Sequence, residues 1–257
     1  MKNTARYSIK SIDKALSILE IFSPENPQWS LKRIQNTLQM PKATTFRILY
    51  TLEKRGLLRK DPRTRNYRLG LKLVYFANLI AKGHDLLSIA RPTMIALRDE
   101  TGETVDCTIL DHNQVLYIEL LESTHRIKAS SSQVGRKLPL HCTACGKVLA
   151  AFSKDRLSND WPPSNLTPYT RKTITDPAKL KTELEKVRKQ GYAIDRGELD
   201  DGIYAVSAPL FDADSNAIAA LTIVAPLSRL DRRTLSELKE KVVSSAQKIA
   251  LDFRLLL

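Results

Sequence analysis

The 257-residue sequence predicts two domains of different build: an N-terminal winged helix-turn-helix, then a linker helix and a C-terminal α+β domain. Three observations carry this. Residues 1–82 hold 17 Lys and Arg against 5 Asp and Glu, a net of +12, whereas residues 83–257 hold 24 against 23, a net of +1. The basic third shows three helical apolar patterns closed by a short cationic hairpin. After Gly83, helices alternate with antiparallel hairpins, the pattern of an α+β domain. The expected boundaries are 1–70, 71–84 and 85–257.

Each element follows from local signals. Ile12, Ala15, Leu16, Leu19 and Phe22 recur at helical spacing, with Ser11 as a candidate N-cap. Residues 23–27, with two prolines, break that helix. Ser30 caps a second helix with Leu31, Ile34 and Leu38 inward, and Gln39 and Met40 form a turn. Pro41 suits the first turn of a third helix, 42–55, which Gly56 ends. Strands at 57–59 and 67–69 flank a turn at 61–66. Leu71, Val74, Tyr75 and Leu79 mark the linker helix, to about residue 82. The second domain reads as helix 86–101, a hairpin of strands 104–110 and 115–121, and helices 143–152 and 177–190. Strands 192–195, 203–209 and 217–224 follow, then a final helix from about 231.

Composition removes other classes. A hydrophobic fraction of 42% excludes global disorder. No apolar run is long enough for a membrane span, and the first residues are polar. Three cysteines are too few for a disulfide scaffold, so a soluble protein of the reducing cytoplasm is expected.

The third helix has two sides. Thr45, Ile48, Leu49 and Leu52 cluster inward at about 100° per residue. Ala43, Phe46, Arg47, Tyr50 and Lys54 lie opposite, with Lys42 and Thr44 at the N-terminal end that reads base edges in helix-turn-helix proteins. Arg47 suits a bidentate contact to guanine or a phosphate bond, and Thr44 a base edge or a phosphate oxygen. Phe46 and Ala43 suit a thymine methyl. The wing adds Arg59, Lys60, Arg63, Arg65 and Arg68. An isolated basic run is usually a solvated face; this one flanks the expected reading helix, which favours double-stranded DNA.

The stretch Pro41-Lys42-Ala43-Thr44-Thr45-Phe46-Arg47-Ile48-Leu49, with Thr51-Leu52, Gly56-Leu57 and Tyr67-Arg68-Leu69-Gly70, resembles the start of IclR-type transcriptional regulators. A second set resembles the same family in order: Gly135-Arg136, Pro139-Leu140-His141, Thr143-Ala144, Gly146-Lys147 and Leu149-Ala150. Thr173-Ile174-Thr175, Gly191-Tyr192-Ala193-Ile194-Asp195, Gly197-Glu198, Gly202 and Ala208-Pro209 continue it. The resemblance spans about residues 10–250. It implies a GAF-like effector-binding domain, a homodimer or homotetramer, a pseudo-palindromic operator, and a repressor of a catabolic operon that senses a small organic acid. It implies no catalysis, cofactor or membrane partner.

By motif position, the resemblance places Ile127, Ser130, Leu138, Ala144, Cys145, Asp195, Ala205 and Ser207 around the effector. Free amides at the start of the helix after Thr143 suit a carboxylate, and the small Ala144, Cys145 and Gly146 let it approach. Asp195, Ser130 and Ser207 suit hydroxyls, which favours a sugar acid; an aromatic acid is the alternative. Ile127, Leu138 and Ala205 also fit plain core packing. His141, Cys142 and Cys145 fall short of a structural zinc site, which needs four ligands. Cys145 beside His141 suggests a nucleophile, but no orienting third group stands at a recognisable spacing. A DNA-binding protein without an effector is the remaining alternative.

Overall fold

Residues 9–23, 25–76, 85–127, 133–153, 157–212 and 216–254 are described in the computed structural model, and the chain parts into units 1–84 and 85–257. In the first unit, helices α1 (Lys10–Glu20), α2 (Leu31–Thr37) and α3 (Lys42–Lys54) precede a hairpin of β1 (Leu58–Lys60) and β2 (Tyr67–Leu69). The Ser30 hydroxyl caps α2 by accepting the Arg33 amide at 3.2 Å. Gln39 takes the left-handed φ of +50° that turns the chain between α2 and α3. At the end of α3, Gly56 has φ +75°, and the Leu57 amide donates back to the Leu52 carbonyl. Ile18, Ile34, Leu49, Leu52, Leu58 and Tyr67 form the core, closed by Trp29, whose backbone pairs with Tyr67.

Two expectations change here. Helix α1 starts at Lys10 with Ile9, not Ser11, at its cap, and no side chain closes it. Its apolar stripe is also only partly inward. Ile18 is buried, but Ile12 and Leu16 are exposed along a groove between α1 and α3, because a stripe wider than the core surface must overhang it. Residues 72–76 begin the linker as helix with Leu71, Val74 and Phe76 exposed; Leu79 and the rest of the expected linker lie outside the described residues.

The second unit is built on a six-stranded antiparallel sheet of order β5-β4-β3-β8-β7-β6. Its strands are β3 (Thr104–Asp111), β4 (Gln114–Leu121), β5 (Lys137–Pro139), β6 (Ala193–Asp195), β7 (Ile203–Phe211) and β8 (Ala217–Pro226). Strands β3, β7 and β8 are buried along most of their length, because helices cover both sheet faces. Helices α4 (Asp85–Thr101) and α7 (Arg232–Arg254) pack on one face, over Val105, Cys107, Val206, Leu221 and Ile223. Helices α5 (Ala144–Phe152) and α6 (Pro177–Gln190) pack on the other, over Leu110, Val115, Tyr117 and Ala220.

Local chemistry explains the helix ends. Asp176 caps α6 through the Ala178 amide at 2.8 Å, Pro177 opens it, and Gly191 closes it at φ +79°. Thr143 caps α5 through the Gly146 amide at 3.1 Å. Strand β5 and a 3-10 turn at Leu227–Arg229 are additions to the expected elements. Both are three residues long, too short to show a period.

Candidate functional site

The basic face is built on α3 and the wing. No side chain caps α3, so its first amides and positive dipole end are open to an anion such as phosphate. Thr45 is buried and its hydroxyl bonds back to the Pro41 carbonyl at 3.0 Å. Lys42, Ala43, Phe46, Arg47 and Tyr50 are exposed, and Thr44 is half-buried beside the groove that α3 makes with α1. Phe46 and Tyr50 are 51% and 52% exposed, yet stack with ring centroids 6.5 Å apart. The Lys54 ammonium lies 5.5 Å over the Tyr50 ring. An exposed aromatic pair within a basic face is apolar surface that base methyls can cover.

Asp61 shapes the wing tip. Its Oδ1 accepts the Arg63 and Thr64 amides at 2.8 and 2.9 Å, and those bonds hold its carboxyl below the usual range. Arg65 has φ +57° at the turn, and Arg63, Arg65 and Arg68 are all exposed. Arg68 stands 3.9 Å from Asp61, a loose exposed pair that leaves the wing basic.

The second candidate site is a cavity of about 60 Å³ between α5 and the adjoining sheet face. The sequence-selected Leu138, Ala144, Cys145, Asp195 and Ala205 line it, with Thr143 of the turn that opens α5, together with Tyr117, Leu199, Asp200, Ile203, Thr222 and Val224, which sequence reasoning missed. Alternation along β8 was the available signal for Thr222 and Val224, since it puts both on one face.

Three selected residues do not line the cavity. Ile127 is 72% exposed, and its carbonyl accepts from the Arg229 guanidinium at 2.9 Å, which turns the segment outward. Ser207 shares the sheet face of Ala205 but is buried further along β7, with its hydroxyl donating to the Leu221 carbonyl and accepting from Thr222. Gly146 is buried with its amide already bonded to Thr143, and a methyl there would overlap the Leu140 backbone. Ser130 lies outside the described residues.

Beside the cavity, Lys147 is 1% exposed. Its ammonium donates to the Ile194 carbonyl and to Glu198 Oε1, each at 2.5 Å. The Asp195 carboxyl accepts the Glu198 amide at 2.6 Å, and burial pushes it up to about 6. Asp106, on β3, is 1% exposed and pushed up to about 7 by burial. The Cys142 and Cys145 thiols are pushed up to about 12 by burial, which keeps them protonated and weakly nucleophilic. His141 Nε2 lies 3.0 Å from the Thr167 carbonyl, and no cluster of metal-ligating side chains forms among the described residues. Among those residues, no helix is long and apolar enough to cross a membrane.

Two stability measurements check this electrostatic reading. Lys147→Met strands the buried Glu198 carboxylate and should lower unfolding free energy by about 3–5 kcal/mol; an unchanged urea midpoint would contradict the buried pair. A carboxyl whose folded value is raised stabilises the fold below its unfolded value and loses that contribution as pH climbs through the folded one. Asp106→Asn should therefore gain on the parent chain by roughly a few kcal/mol between about pH 4 and pH 7. Parallel stability curves across that window would show that Asp106 titrates normally.

Comparison with known proteins matches both units. The profile described as "Bacterial transcriptional regulator IclR C-terminal" covers residues 79–251, and the "IclR helix-turn-helix domain" covers residues 11–62. The chain is 32% identical over 235 residues to the HTH-type transcriptional regulator XynR of Escherichia coli K12, spanning 91% of this chain and 93% of that one. It is 28% identical over 248 residues to the Transcriptional repressor IclR of the same organism, spanning 95% and 90%. A crystal structure of an IclR transcriptional regulator from Alicyclobacillus acidocaldarius shares the fold with a TM-score of 0.83 at 26% identity, over 96% of this chain and 99% of that one. An IclR homologue from Microbacterium hydrocarbonoxydans, complexed with 4-hydroxybenzoate, shares it with a TM-score of 0.82 at 24% identity, over 95% and 99%. These relatives are regulators of transcription rather than enzymes, and the matched segments together take in most of the chain. The chain belongs to the IclR family of bacterial transcriptional regulators.

Proposed function

We propose that the protein is a ligand-responsive repressor of a catabolic operon, that its second unit senses a small hydroxylated organic acid of the sugar-acid kind, and that it binds a pseudo-palindromic operator as a homodimer or homotetramer. The observation that carries the sensing role is the cavity at the start of α5. Small Ala144 and Cys145 let a ligand reach the helix N-terminus, where amides favour a carboxylate. Asp195 and Thr222 offer hydrogen bonds to hydroxyl groups, and Leu138, Ala205 and Val224 supply apolar walls. An aromatic hydroxy acid is the second reading. It is favoured by Tyr117 in the wall and by the 4-hydroxybenzoate bound to the Microbacterium homologue.

DNA reading falls to Lys42, Ala43, Thr44, Phe46, Arg47 and Tyr50, with Arg63, Arg65 and Arg68 on flanking phosphates. Regulation then requires that the acid bind one global state better than the other, since a ligand with equal affinity for both shifts nothing.

Selection of bound DNA by the full chain, followed by calorimetry with sugar acids and aromatic acids, tests the reading. If only aromatic acids bind, the sugar-acid assignment is wrong; if no acid binds or changes operator affinity, the sensing role is. On the selected site, affinity should fall steeply with salt. Arg47→Ala should lose roughly 1–3 kcal/mol of discrimination against random DNA, whereas Arg65→Ala should weaken both alike. Equal losses on both DNAs for Arg47→Ala would remove its base-reading role.

A further inference from the structure

Four buried side-chain polar atoms among the described residues have no hydrogen-bond partner, and two of them are the oxygens of Asp106. The others are Tyr204 hydroxyl, against the opposite sheet face, and Glu198 Oε2, whose carboxylate is already held through Oε1. A buried carboxyl with neither oxygen bonded is costly, and folded proteins retain such groups where something outside the fold satisfies them.

No hydrogen bond of the fold is completed to Asp106 among the described residues, although the Thr222 hydroxyl stands close enough to pull its carboxyl down against the effect of burial. In the strand register it stands between Leu120 of β4 and Thr222 of β8. The Thr222 hydroxyl donates to Ser207, and the Thr108 hydroxyl, two residues along β3, points at the Ala220 carbonyl at 3.4 Å. From α5, the Cys145 thiol feels the Asp106 charge and is itself raised by burial. The buried cation of this region, Lys147, is occupied by Ile194 and Glu198. Asp106 does not itself line the cavity, but Thr222, its register partner, and Cys145, which feels its charge, both do, so one layer of side chain separates it from the cavity.

We propose that Asp106 anchors a hydroxyl group of the effector, so that the second unit selects hydroxy acids over the same acids lacking that hydroxyl; this rests on the effector reading above. A hydroxyl both donates and accepts, so it satisfies the carboxyl in either protonation state. The ligand's carboxylate is directed to the free amides at the start of α5 rather than to Asp106 itself, because two carboxylates in contact repel. Burial also keeps the Asp106 carboxyl neutral more readily than a solvated one, which softens its approach to an anion.

Calorimetry on the full chain with matched pairs tests this: glycolate and acetate, L-lactate and propionate, 4-hydroxybenzoate and benzoate. At least one hydroxy member should bind about tenfold or more tighter than its partner, since losing the hydroxyl strands a buried polar group. Asp106→Leu should bring that ratio close to one while leaving the deoxy acid's affinity within about threefold. Asp106→Asn, which still donates and accepts, should keep the preference. Asp106→Ala, which only removes atoms, replaces the Leu variant if that one fails to fold. Equal binding of both members, or a preference that survives Asp106→Leu or Asp106→Ala, overturns the proposal and leaves the effector reading standing. If no pair binds, this proposal falls, and the sugar-acid reading is decided by its own panel.

Discussion

The ammonium of Lys147 is withdrawn from water, and the geometry of the second unit is arranged around keeping it satisfied. Removing such a group from water costs several kcal/mol unless bonded partners stand at fixed positions. Those partners are the Ile194 carbonyl at the end of β6 and the Glu198 carboxylate in the turn that follows. The same turn is held from a second direction, because the Thr170 and Thr173 hydroxyls donate to the Gly197 and Glu198 carbonyls at 2.7 and 2.6 Å. Asp195, Leu199 and Asp200 project from this segment into the cavity, and Ala144 and Cys145 enter from the start of the helix that carries Lys147. One buried pair thus sets the spacing of two cavity walls. It also gives Gly146-Lys147, Thr173 and Gly197-Glu198 a common mechanical meaning, although they are far apart in sequence.

The two units use charge in opposite ways. In the first, cations stand on exposed positions of α3 and the wing, and the nearby acid, Asp61, is engaged mainly by backbone amides of its own turn. The unneutralised charge that results suits a polyanion and tolerates solvent. In the second unit, charges are nearly balanced in number and several are paired inside or at the edge of the fold. Glu103, for example, is buried and takes a two-point bond from Arg229 at 2.8 and 2.7 Å. Such pairs hold strand ends and loops in place rather than create a field. The division of labour expected of an IclR-family regulator, one unit for DNA and one for a small molecule, is thus written into where the charges are exposed.

In and around the cavity, acids that burial has raised stand near a lysine that is already engaged. In the reading we propose, that combination suits a ligand whose negative end is met by helix amides and whose hydroxyls meet carboxyl and hydroxyl side chains. It disfavours a ligand that needs a free cationic side chain. The buried cysteines fit the same picture, since thiols held protonated by desolvation act as small apolar wall material.

Much of the fold was legible because its signals are local. Ser30, the turn at Gln39, Gly56, Asp176, Pro177 and Gly191 act within a few residues of themselves, so the sequence alone determined where most helices begin and end. Ser11 misled, because a capping residue type near a helix start says nothing about which turn forms first. The concentration of charge in residues 1–82 and the inward side of α3 were likewise readable without coordinates. The cavity was legible only in part. Leu138, Ala144, Cys145, Asp195 and Ala205 could be placed through motif resemblance, but Ile127 turned outward and Ser207 was buried beyond the cavity along β7. Asp106 and Thr222 went unnoticed. Strand periodicity tells which residues share a face, but not which helix will cover that face or which residue of a distant strand will stand beside them. Asp106 meets Thr222 across 116 positions of sequence, through a register that only the assembled sheet specifies. The tertiary structure therefore decided which polar groups are buried together, because desolvation and pairing depend on distances between strands that no local pattern encodes.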